Sequence, residues 1–530
     1  MKATVISANE WVYPDIFEYR SASEKIELHA PRGSYASVQL QVTGVRPGDA
    51  IALRSDVELP FEGYRMLDVV VERNTGTEHM AFTLDIGTPK PDYCTRQAPF
   101  PVFDILQPMD QGGDCAEKEV TAFYLCWQTP RDAQPGVYEG SVTVEIGGET
   151  AVVPVRITVH AAQTPVRSRL SITNWYTPEN IGRFYGIEKY TDEWYEMLEK
   201  VFRLMVRTRQ THILIPPEVK IEREGDTYSF DFTEVERIIR LALKAGFQTL
   251  ELGHLCQKNY VTLEKYWLFY KPEGRKIYAD SPEGYNFIAQ FLPAWAKFLR
   301  ENGWYDISVQ HVGDEPTDGQ TEDFRIICGV MRKFMPGMKL FDAVCHTDLA
   351  GSVDYWVVQC QEYQHKREQF EKFRALGDEI WQYTCCCPGG KWLNRLLDGE
   401  LLKPRLLHYG NYLFNLPGYL HWGFNYFQGD MDYMRTKTCG LSSDKIHYWP
   451  AGDTCICYPG NVNGPWMSVR AERMRTGAED CELLWMIADR DKAAADELCK
   501  GVMRAFDDYT ADPCLFEDNY IRLLEAADRV

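Results

Sequence analysis

The sequence predicts a multidomain protein in which an N-terminal antiparallel β-sandwich is followed by a (β/α)8 TIM barrel. Three observations support this fold class. Short alternating strand patterns run to about residue 162, strand and helix patterns alternate from about residue 170, and 530 residues are enough for both domains. We therefore expect an immunoglobulin- or fibronectin-like sandwich at residues 1–162 and a barrel catalytic domain at residues 170–530.

The N-terminal region alternates apolar and polar residues between turn signals. YASVQLQVTG (35–44) precedes the turn residues RPGD, and VYEGSVTVEIGG (137–148) reaches a Gly-Gly turn before TAVVPVRITVH (150–160). Alternation is typical of strands with one buried face, and the Gly-Gly turn predicts a hairpin. The segment AAQTPVRSR (161–169) is the expected linker to the second domain.

Eight strand-like segments predict the barrel. They are RLSITNW (169–175), HILIP (212–216), QTLEL (248–252), DISVQHV (306–312), KLFDAV (339–344), YWVVQ (355–359), EIWQYTC (379–385) and GYLHWGF (418–424). Amphipathic helical patterns separate them, as at 192–210 and 232–247. Eight such units favour a closed barrel over an open doubly wound sheet, and no G-x-G-x-x-G follows the first strand.

The composition excludes some partners. The chain has 77 acidic and 57 basic residues, a net charge of −20, which opposes general binding to nucleic acid or anionic membranes. No run approaches the roughly 18 apolar residues of a spanning helix, and the first residues do not form a signal-peptide core. We expect a cytoplasmic protein with a carbohydrate partner and neither a nucleic-acid nor a membrane partner. The sequence does not predict the oligomeric state.

The 16 cysteines are scattered, which indicates reduced core thiols. The run Cys385-Cys386-Cys387 could bind zinc, but structural zinc sites usually combine two C-x2–4-C elements, and no second pair is present. A local packing role is therefore favoured. We expect no metal site and no organic cofactor.

The barrel prediction points to the residues that follow its strands, because barrel active sites lie at the C-terminal strand ends. Aromatic faces stack on sugar rings, and amide and imidazole groups bond hydroxyls, so these residues indicate a carbohydrate site. The alternative is that the aromatic side chains simply fill the barrel interior. The candidate substrate-binding residues are Asn174, Trp175, His254, Gln359, Tyr383, Trp422 and Asn425.

The candidate catalytic residues are Asp314 and Glu315, in HVGDEP at the fourth strand end. Glycosidases ordinarily use two carboxylates about 5–5.5 Å or 6.5–9.5 Å apart, and neighbours on a strand point to opposite faces. An adjacent pair suits a sugar whose 2-acetamido group is itself the nucleophile. The alternative is an Asp helix cap and a Pro-containing turn before the helical segment TEDFRIICGVMRKF.

Several motifs occur together and resemble one family. HVGDEP, EIWQYTCCCPGG, PGYLHWGFNYF and CICYPGNVNGPWMSVRAERMRTGAEDCELL, with the predicted sandwich, resemble glycoside hydrolase family 123 and the related DUF4091 domain proteins. The resemblance covers nearly the whole chain and is strongest at 306–487. It implies a sandwich and a barrel, and a retaining, substrate-assisted β-N-acetylgalactosaminidase activity through an oxazolinium intermediate.

The resemblance also implies residue roles. Asp314 would orient the 2-acetamido group, Glu315 would be the general acid/base, and Tyr383, Trp422 and Asn425 would line the sugar pocket. Two other functions stay open: a glycosidase for a sugar without an acetamido group, with a separate nucleophile such as Glu251, or a non-catalytic carbohydrate-binding protein.

The segment after residue 465 is rich in charges at helical spacing. Surface or inter-element ion pairs are the simplest interpretation. The charged residues are Arg470, Glu472, Arg473, Glu479 and Asp480.

Overall fold

The structure is a computed structural model that describes residues 1–77, 83–216, 218–259, 264–270, 274–427 and 448–530. The chain forms two compact units. The first unit comprises Met1–Leu170, Cys385–Asn415 and Gly423–Val530, and the barrel unit comprises Ser171–Thr384 and Leu416–Trp422. The division into domains at residues 162 and 170 stays a prediction.

In its described residues, the N-terminal segment of the first unit contains nine strands in two sheets. The sheet orders are β1-β3-β7-β5-β6 and β2-β9-β8-β4. The strands are β1 (Lys2–Ser7), β2 (Ile26–Arg32), β3 (Ser34–Thr43), β4 (Ile51–Ser55), β5 (Phe61–Val71), β6 (Phe100–Pro108), β7 (Val120–Thr129), β8 (Gly136–Ile146) and β9 (Glu149–Gln163).

The two sheets share a hydrophobic core. Leu40 and Phe123 of the five-stranded sheet belong to the same buried cluster as Val144 and Ile157 of the four-stranded sheet. The predicted hairpin is present, since β8 and β9 pair along their length in antiparallel register. The sandwich is not wholly antiparallel, however, because β2 pairs with β9 in parallel.

The described part of the barrel unit contains eight parallel strands that coincide with the eight predicted segments. Their order is β10-β21-β20-β19-β18-β17-β14-β11. Thr211 N, just before β11, donates to Ile172 O of β10 at 3.0 Å, so the two ends of the sheet meet. The strands are β10 (Ser171–Asn174), β11 (His212–Ile215), β14 (Thr249–Leu252), β17 (Ser308–His311), β18 (Lys339–Val344), β19 (Tyr355–Gln359), β20 (Glu379–Tyr383) and β21 (Gly418–His421).

Two short antiparallel pairs lie in the loops of this unit: β12 (Lys220–Glu224) with β13 (Thr227–Asp231), and β15 (Cys256–Gln257) with β16 (Trp267–Leu268). The helices are α1 (Glu179–Tyr185), α2 (Asp192–Arg207), α3 (Thr233–Ala245), α4 (Pro282–Glu301), α5 (Thr321–Phe334), α6 (Cys360–His365) and α7 (Arg367–Leu376).

Helix α2 shows why the predicted helices form. The Thr191 hydroxyl caps its N-terminus by accepting from Trp194 N, and Leu198, Val201 and Met205 extend one buried stripe at helical spacing. The alternation is not strict, because residues 345–354 between β18 and β19 contain no helix. The strand count was therefore the more reliable part of the barrel prediction.

The described residues in the rest of the first unit form four helices and four short strands. Among the helices of the described ranges, none combines the length and the apolarity that crossing a bilayer requires. The elements are α8 (Leu402–Leu413), β22 (Cys457–Asn461), β23 (Gly464–Met467), α9 (Val469–Ala488), α10 (Lys492–Lys500), β24 (Met503–Ala505), β25 (Asp508–Tyr509) and α11 (Pro513–Ala527).

Helix α9 confirms the inter-element ion pairs that the sequence predicts, whereas the surface alternative is wrong. Its charged residues are buried, and they pair within the helix and with other segments of the first unit. Arg470 Nε lies 3.0 Å from Asp104 Oδ2, and Arg405 Nε of α8 lies 2.6 Å from Asp480 Oδ2. The helix is covered on every side, so each buried charge requires a partner of opposite sign.

Candidate active site

The turn after β17 holds the two candidate catalytic carboxylates. Asp314 has φ 49° and Glu315 has φ 38°, so both adopt the left-handed conformation. Such a conformation costs about 1–3 kcal/mol at a non-glycine residue and persists only where the surroundings impose it. The helix-cap alternative is wrong, because α5 begins at Thr321 and Thr317 caps the turn before it.

Asp342, on the neighbouring strand β18, imposes this turn. Its Oδ2 accepts from the backbone N–H groups of residues 312, 313 and 314 at 3.1, 2.7 and 3.1 Å. Glu315 N donates to Ala343 O at 3.0 Å, which continues the contact along β18. The Asp342 side chain is completely buried. A carboxylate that accepts several N–H groups in a dry site holds them firmly.

His311 joins this carboxylate to a second one. Its Nδ1 lies 3.2 Å from Asp342 Oδ1 and its Nε2 lies 2.6 Å from Glu251 Oε1. Burial alone would lower the pKa of His311, but its hydrogen bonds to the two carboxylates raise it to about 9. Burial alone would raise the pKa of Asp342, but His254 and His311 hold it below its usual value. The network is therefore a buried imidazolium between two carboxylates.

Three side chains of this network lie close enough together to resemble a metal site. His254, His311 and Asp342 each offer one ligand atom, all within 4.8 Å of one another. Both nitrogens of His311 already face carboxylates, and Asp342 is engaged by the backbone of the turn. These atoms form an internal hydrogen-bonded support for the turn, so we assign no metal to them.

Side chains from other strands and loops contact the pair directly. Tyr383, at the end of β20, donates its hydroxyl to Glu315 Oε1 at 2.6 Å. The Lys258 ammonium group donates to Glu315 O, and the Tyr266 hydroxyl donates to Asp314 O at 3.2 Å. Lys258 and Tyr266 thus hold the backbone of Asp314 and Glu315, and the neutral Tyr383 hydroxyl donates to one oxygen of the Glu315 carboxylate.

Three more predicted residues lie at the same end of the barrel. Gln359 pairs in register with Tyr383 on the adjacent strand, and Trp422 directly follows β21. The His254 ring lies 4.2 Å from the His311 ring, measured between centroids. Parallel strands put their C-terminal ends together, so these side chains border the candidate site.

The remaining predicted residues have other neighbours. Trp175 donates its indole N–H to Glu251 Oε1 at 2.5 Å, and Asn174 is buried and donates to Gln210 at 3.3 Å. Asn425 belongs to the first unit, where it forms an isolated antiparallel bridge with Cys455. Substrate contacts for these residues stay predictions.

Four residues that support the turn were not predicted from the sequence: His311, Asp342, Lys258 and Tyr266. Asp342 and His311 could have been found from the sequence. Each is an ionisable residue inside an apolar strand, and such a side chain requires a buried partner. Lys258 and Tyr266 could not have been found in this way, since both lie in irregular segments and reach the turn only through the fold.

A parallel barrel whose strand ends carry a carboxylate pair within an aromatic and polar rim has the architecture of a glycoside hydrolase. The catalytic-domain model of glycoside hydrolase family 123 matches residues 175–487. The match covers more than half of the chain, so the chain belongs to this family and is a glycosidase whose substrate is a carbohydrate.

Solved structures agree on the fold. A family 123 glycoside hydrolase from Clostridium perfringens, described for glycolipid glycan hydrolysis, matches with a TM-score of 0.74 and 14% identity. The match covers 100% of this chain and 97% of that chain. At this identity the similarity shows a shared fold alone. A comparison with curated proteins finds no sequence match.

Two further solved structures match more loosely. A β-galactosidase from Bacillus circulans sp. alkalophilus has a TM-score of 0.38 and 11% identity, over 61% of this chain and 57% of that one. An endo-β-1,4-mannanase from Thermotoga petrophila has a TM-score of 0.36 and 13% identity, over 60% and 77%.

Proposed function

We propose that this family 123 glycoside hydrolase is a retaining, exo-acting β-N-acetylhexosaminidase, with terminal β-linked N-acetylgalactosamine as its preferred substrate. The observation that carries the proposal is the left-handed turn that presents Asp314 and Glu315 together at a barrel strand end. On a regular strand these neighbours would point to opposite faces, and the turn removes that alternation.

The other strand carboxylates favour a substrate that brings its own nucleophile. Glu251 is completely buried, and its Oε1 forms hydrogen bonds with both His311 and Trp175. Asp342 is equally buried and holds the turn. A nucleophile must reach the anomeric carbon, whereas the side chains of Glu251 and Asp342 are both completely buried in the barrel unit. The rival in which Glu251 attacks a sugar without an acetamido group is therefore disfavoured.

In the proposed first step, the acetamido carbonyl oxygen attacks the anomeric carbon while Asp314 accepts the acetamido N–H and orients the group. The bond to the leaving oxygen breaks, its electron pair stays on that oxygen, and Glu315 supplies the proton. Tyr383 then donates to the carboxylate that remains, which stabilises it.

In the second step the Glu315 carboxylate takes a proton from water as that water attacks the anomeric carbon of the oxazolinium intermediate. The carbon–oxygen bond to the acetamido group breaks and the group is restored. Two inversions at the same carbon give net retention. The rim aromatics Trp175 and Trp422 would supply stacking surface for the sugar.

The test uses the purified protein and an aryl β-N-acetylgalactosaminide. Glu315→Gln and Asp314→Asn should each lower kcat by about 10²–10⁴-fold, the usual contribution of a positioned acid–base group. Glu301→Gln is the matched control, since Glu301 is exposed at the end of α4. The assignment is wrong if both site variants keep the wild-type kcat.

A substrate panel separates the alternatives. Cleavage of aryl glycosides without an acetamido group, with no release from the acetamido substrate, would support the separate-nucleophile hypothesis. Tight sugar binding without release from any member would support a carbohydrate-binding protein. Inhibition by the thiazoline analogue of N-acetylgalactosamine, lost in Asp314→Asn, is expected from substrate assistance.

A further inference from the structure

Three consecutive thiols lie close together in the first unit, directly after the end of β20. Cys385 Sγ lies 3.6 Å from Cys387 Sγ and 3.8 Å from Cys386 Sγ. All three sulfur atoms lie within 4.8 Å of one another. Consecutive residues in a regular strand would point in alternating directions, so this convergence is a property of the local loop.

The backbone of the loop is held in the conformation that brings the sulfur atoms together. Cys385 N donates to Cys387 O at 2.9 Å. The side chain of Asn394, itself buried, donates to Cys385 O at 2.9 Å and to Pro388 O at 3.0 Å. Because the loop is fixed at both of its ends, it loses little conformational entropy when its side chains bind a ligand.

The sulfur triangle has the dimensions of a thiolate metal site. Zinc–sulfur bonds are roughly 2.3 Å long, and two of them at a tetrahedral angle put their sulfur atoms roughly 3.8 Å apart. Two edges of the triangle, at 3.6 and 3.8 Å, are close to this length. Soft thiolate donors select zinc, copper(I) and similar ions over magnesium or calcium.

The site is also accessible. Cys386 is buried, while Cys385 and Cys387 are half-buried. An ion can therefore approach from the side of Cys385 and Cys387 and keep one coordination position for water or another ligand. The packing role expected from the sequence depends on the lack of a second C-x2–4-C pair, whereas these three sulfur ligands come from one loop.

We propose that Cys385, Cys386 and Cys387 form a three-thiolate binding site for a thiophilic d¹⁰ metal ion, for which Zn²⁺ is the probe. Three metal–sulfur bonds form, three S–H bonds break, and the protons leave to solvent. No oxidant or reductant takes part. The proposal is independent of the glycosidase function, since neither proposed step of hydrolysis uses these thiols.

The experiment is a titration of the full-length, reduced protein with Zn²⁺ in competition with a chromophoric chelator. The wild type should bind one tight equivalent. Cys385→Ser and Cys387→Ser should weaken binding by more than about 100-fold, which exceeds the loss when a residue merely orients a ligand. Cys115→Ser is the matched control, because Cys115 is also an accessible thiol, and it should bind like the wild type.

A second measurement covers variants that fail to fold. The wild-type protein is alkylated with and without Cd²⁺, and the modified cysteines are mapped by mass spectrometry. Selective protection of the three thiols supports the site, while Cys115 and Cys514 should react equally in both samples. The proposal is overturned if the wild type takes up no metal, if the Cys385→Ser and Cys387→Ser proteins bind as tightly as the wild type, or if Cd²⁺ protects none of the three.

Discussion

The carboxylate of Asp342 accepts a 2.7 Å hydrogen bond from the backbone N–H of Gly313, across the boundary between strand and turn. The register of the barrel produces this contact. His311 pairs with Phe341 on the parallel neighbouring strand, so the next residue of β18 lies beside the first residues of the turn. The conformation of the candidate catalytic pair is therefore set by a residue about 30 positions later in the chain.

We predict that Asp342→Asn lowers kcat/KM by about 10²-fold, the size of effect that a displacement of about 1 Å can have on a positioned group. Asparagine keeps one acceptor oxygen and replaces the other by a donor, so either the N–H groups of residues 312–314 or those of His311 and Ala343 lose their acceptor. Steady-state kinetics on the aryl substrate measures the change, and far-ultraviolet circular dichroism checks that the fold remains.

Asp226→Asn is the control for this variant, since Asp226 is an exposed ion-pair partner of Arg223 in the same unit. It should keep activity near that of the wild type. Equal activity of the Asp342 variant and the wild type would show that the turn keeps its conformation without this carboxylate.

Tyr383→Phe tests the hydrogen bond to Glu315. A hydroxyl that donates to a carboxylate stabilises its ionised form, so its loss makes the ionised form less favourable. Glu315 should then keep its proton to higher pH. We expect kcat to fall by about tenfold, in keeping with one lost hydrogen bond to a charged group.

The alkaline limb of the kcat/KM profile should also move to higher pH in this variant. Tyr412→Phe is the matched control, because Tyr412 donates its hydroxyl to Asp496 in the first unit. Its profile should coincide with that of the wild type. If the alkaline limb of Tyr383→Phe were unchanged, the Tyr383 hydroxyl would not affect the ionisation of the acid–base group.

The sequence predicted the barrel strands because each carries a local apolar pattern, and it predicted Asp314 and Glu315 because strand ends are local features too. It did not predict the contacts of Asp342 or Lys258, which depend on sheet register and on an irregular loop. Similarly, the charges of α9 carry no local sign of burial, because the covering segments come from distant parts of the chain.

The buried pair of Asp104 and Arg470 should contribute strongly to stability. Asp104 Oδ2 accepts from Arg470 Nε at 3.0 Å and from the Tyr458 hydroxyl at 2.6 Å, and both charged side chains are completely buried. Asp104→Ala leaves an uncompensated guanidinium group, so we expect a loss of about 3–5 kcal/mol in the free energy of unfolding.

Urea denaturation measures this loss, with Glu27→Ala as the control. Glu27 pairs with Lys25, and both side chains are more than half exposed, so its loss should cost no more than about 1 kcal/mol. If the two variants lost equal stability, the polar contacts of Arg470 with backbone carbonyls would have to satisfy it without Asp104.

The charged state of His311 predicts how stability depends on pH. The groups that face its ring are Glu251, Asp342 and His254. The folded state raises the pKa of His311 from 6.5 to about 9. A group whose pKa is raised on folding stabilises the protein fully below its unfolded pKa, and this contribution disappears as the pH rises through the folded value.

We therefore expect the His311 contribution to the free energy of unfolding to be complete below about pH 6.5 and to decline toward pH 9 and above, by on the order of 3 kcal/mol. Urea denaturation at several pH values measures the decline. His311→Gln removes the titrating group, so its stability should be lower at pH 6 and should vary less between pH 6.5 and 9. A wild-type protein that became more stable over this interval, with His311→Gln following the same curve, would show that the ring is neutral between its two carboxylates.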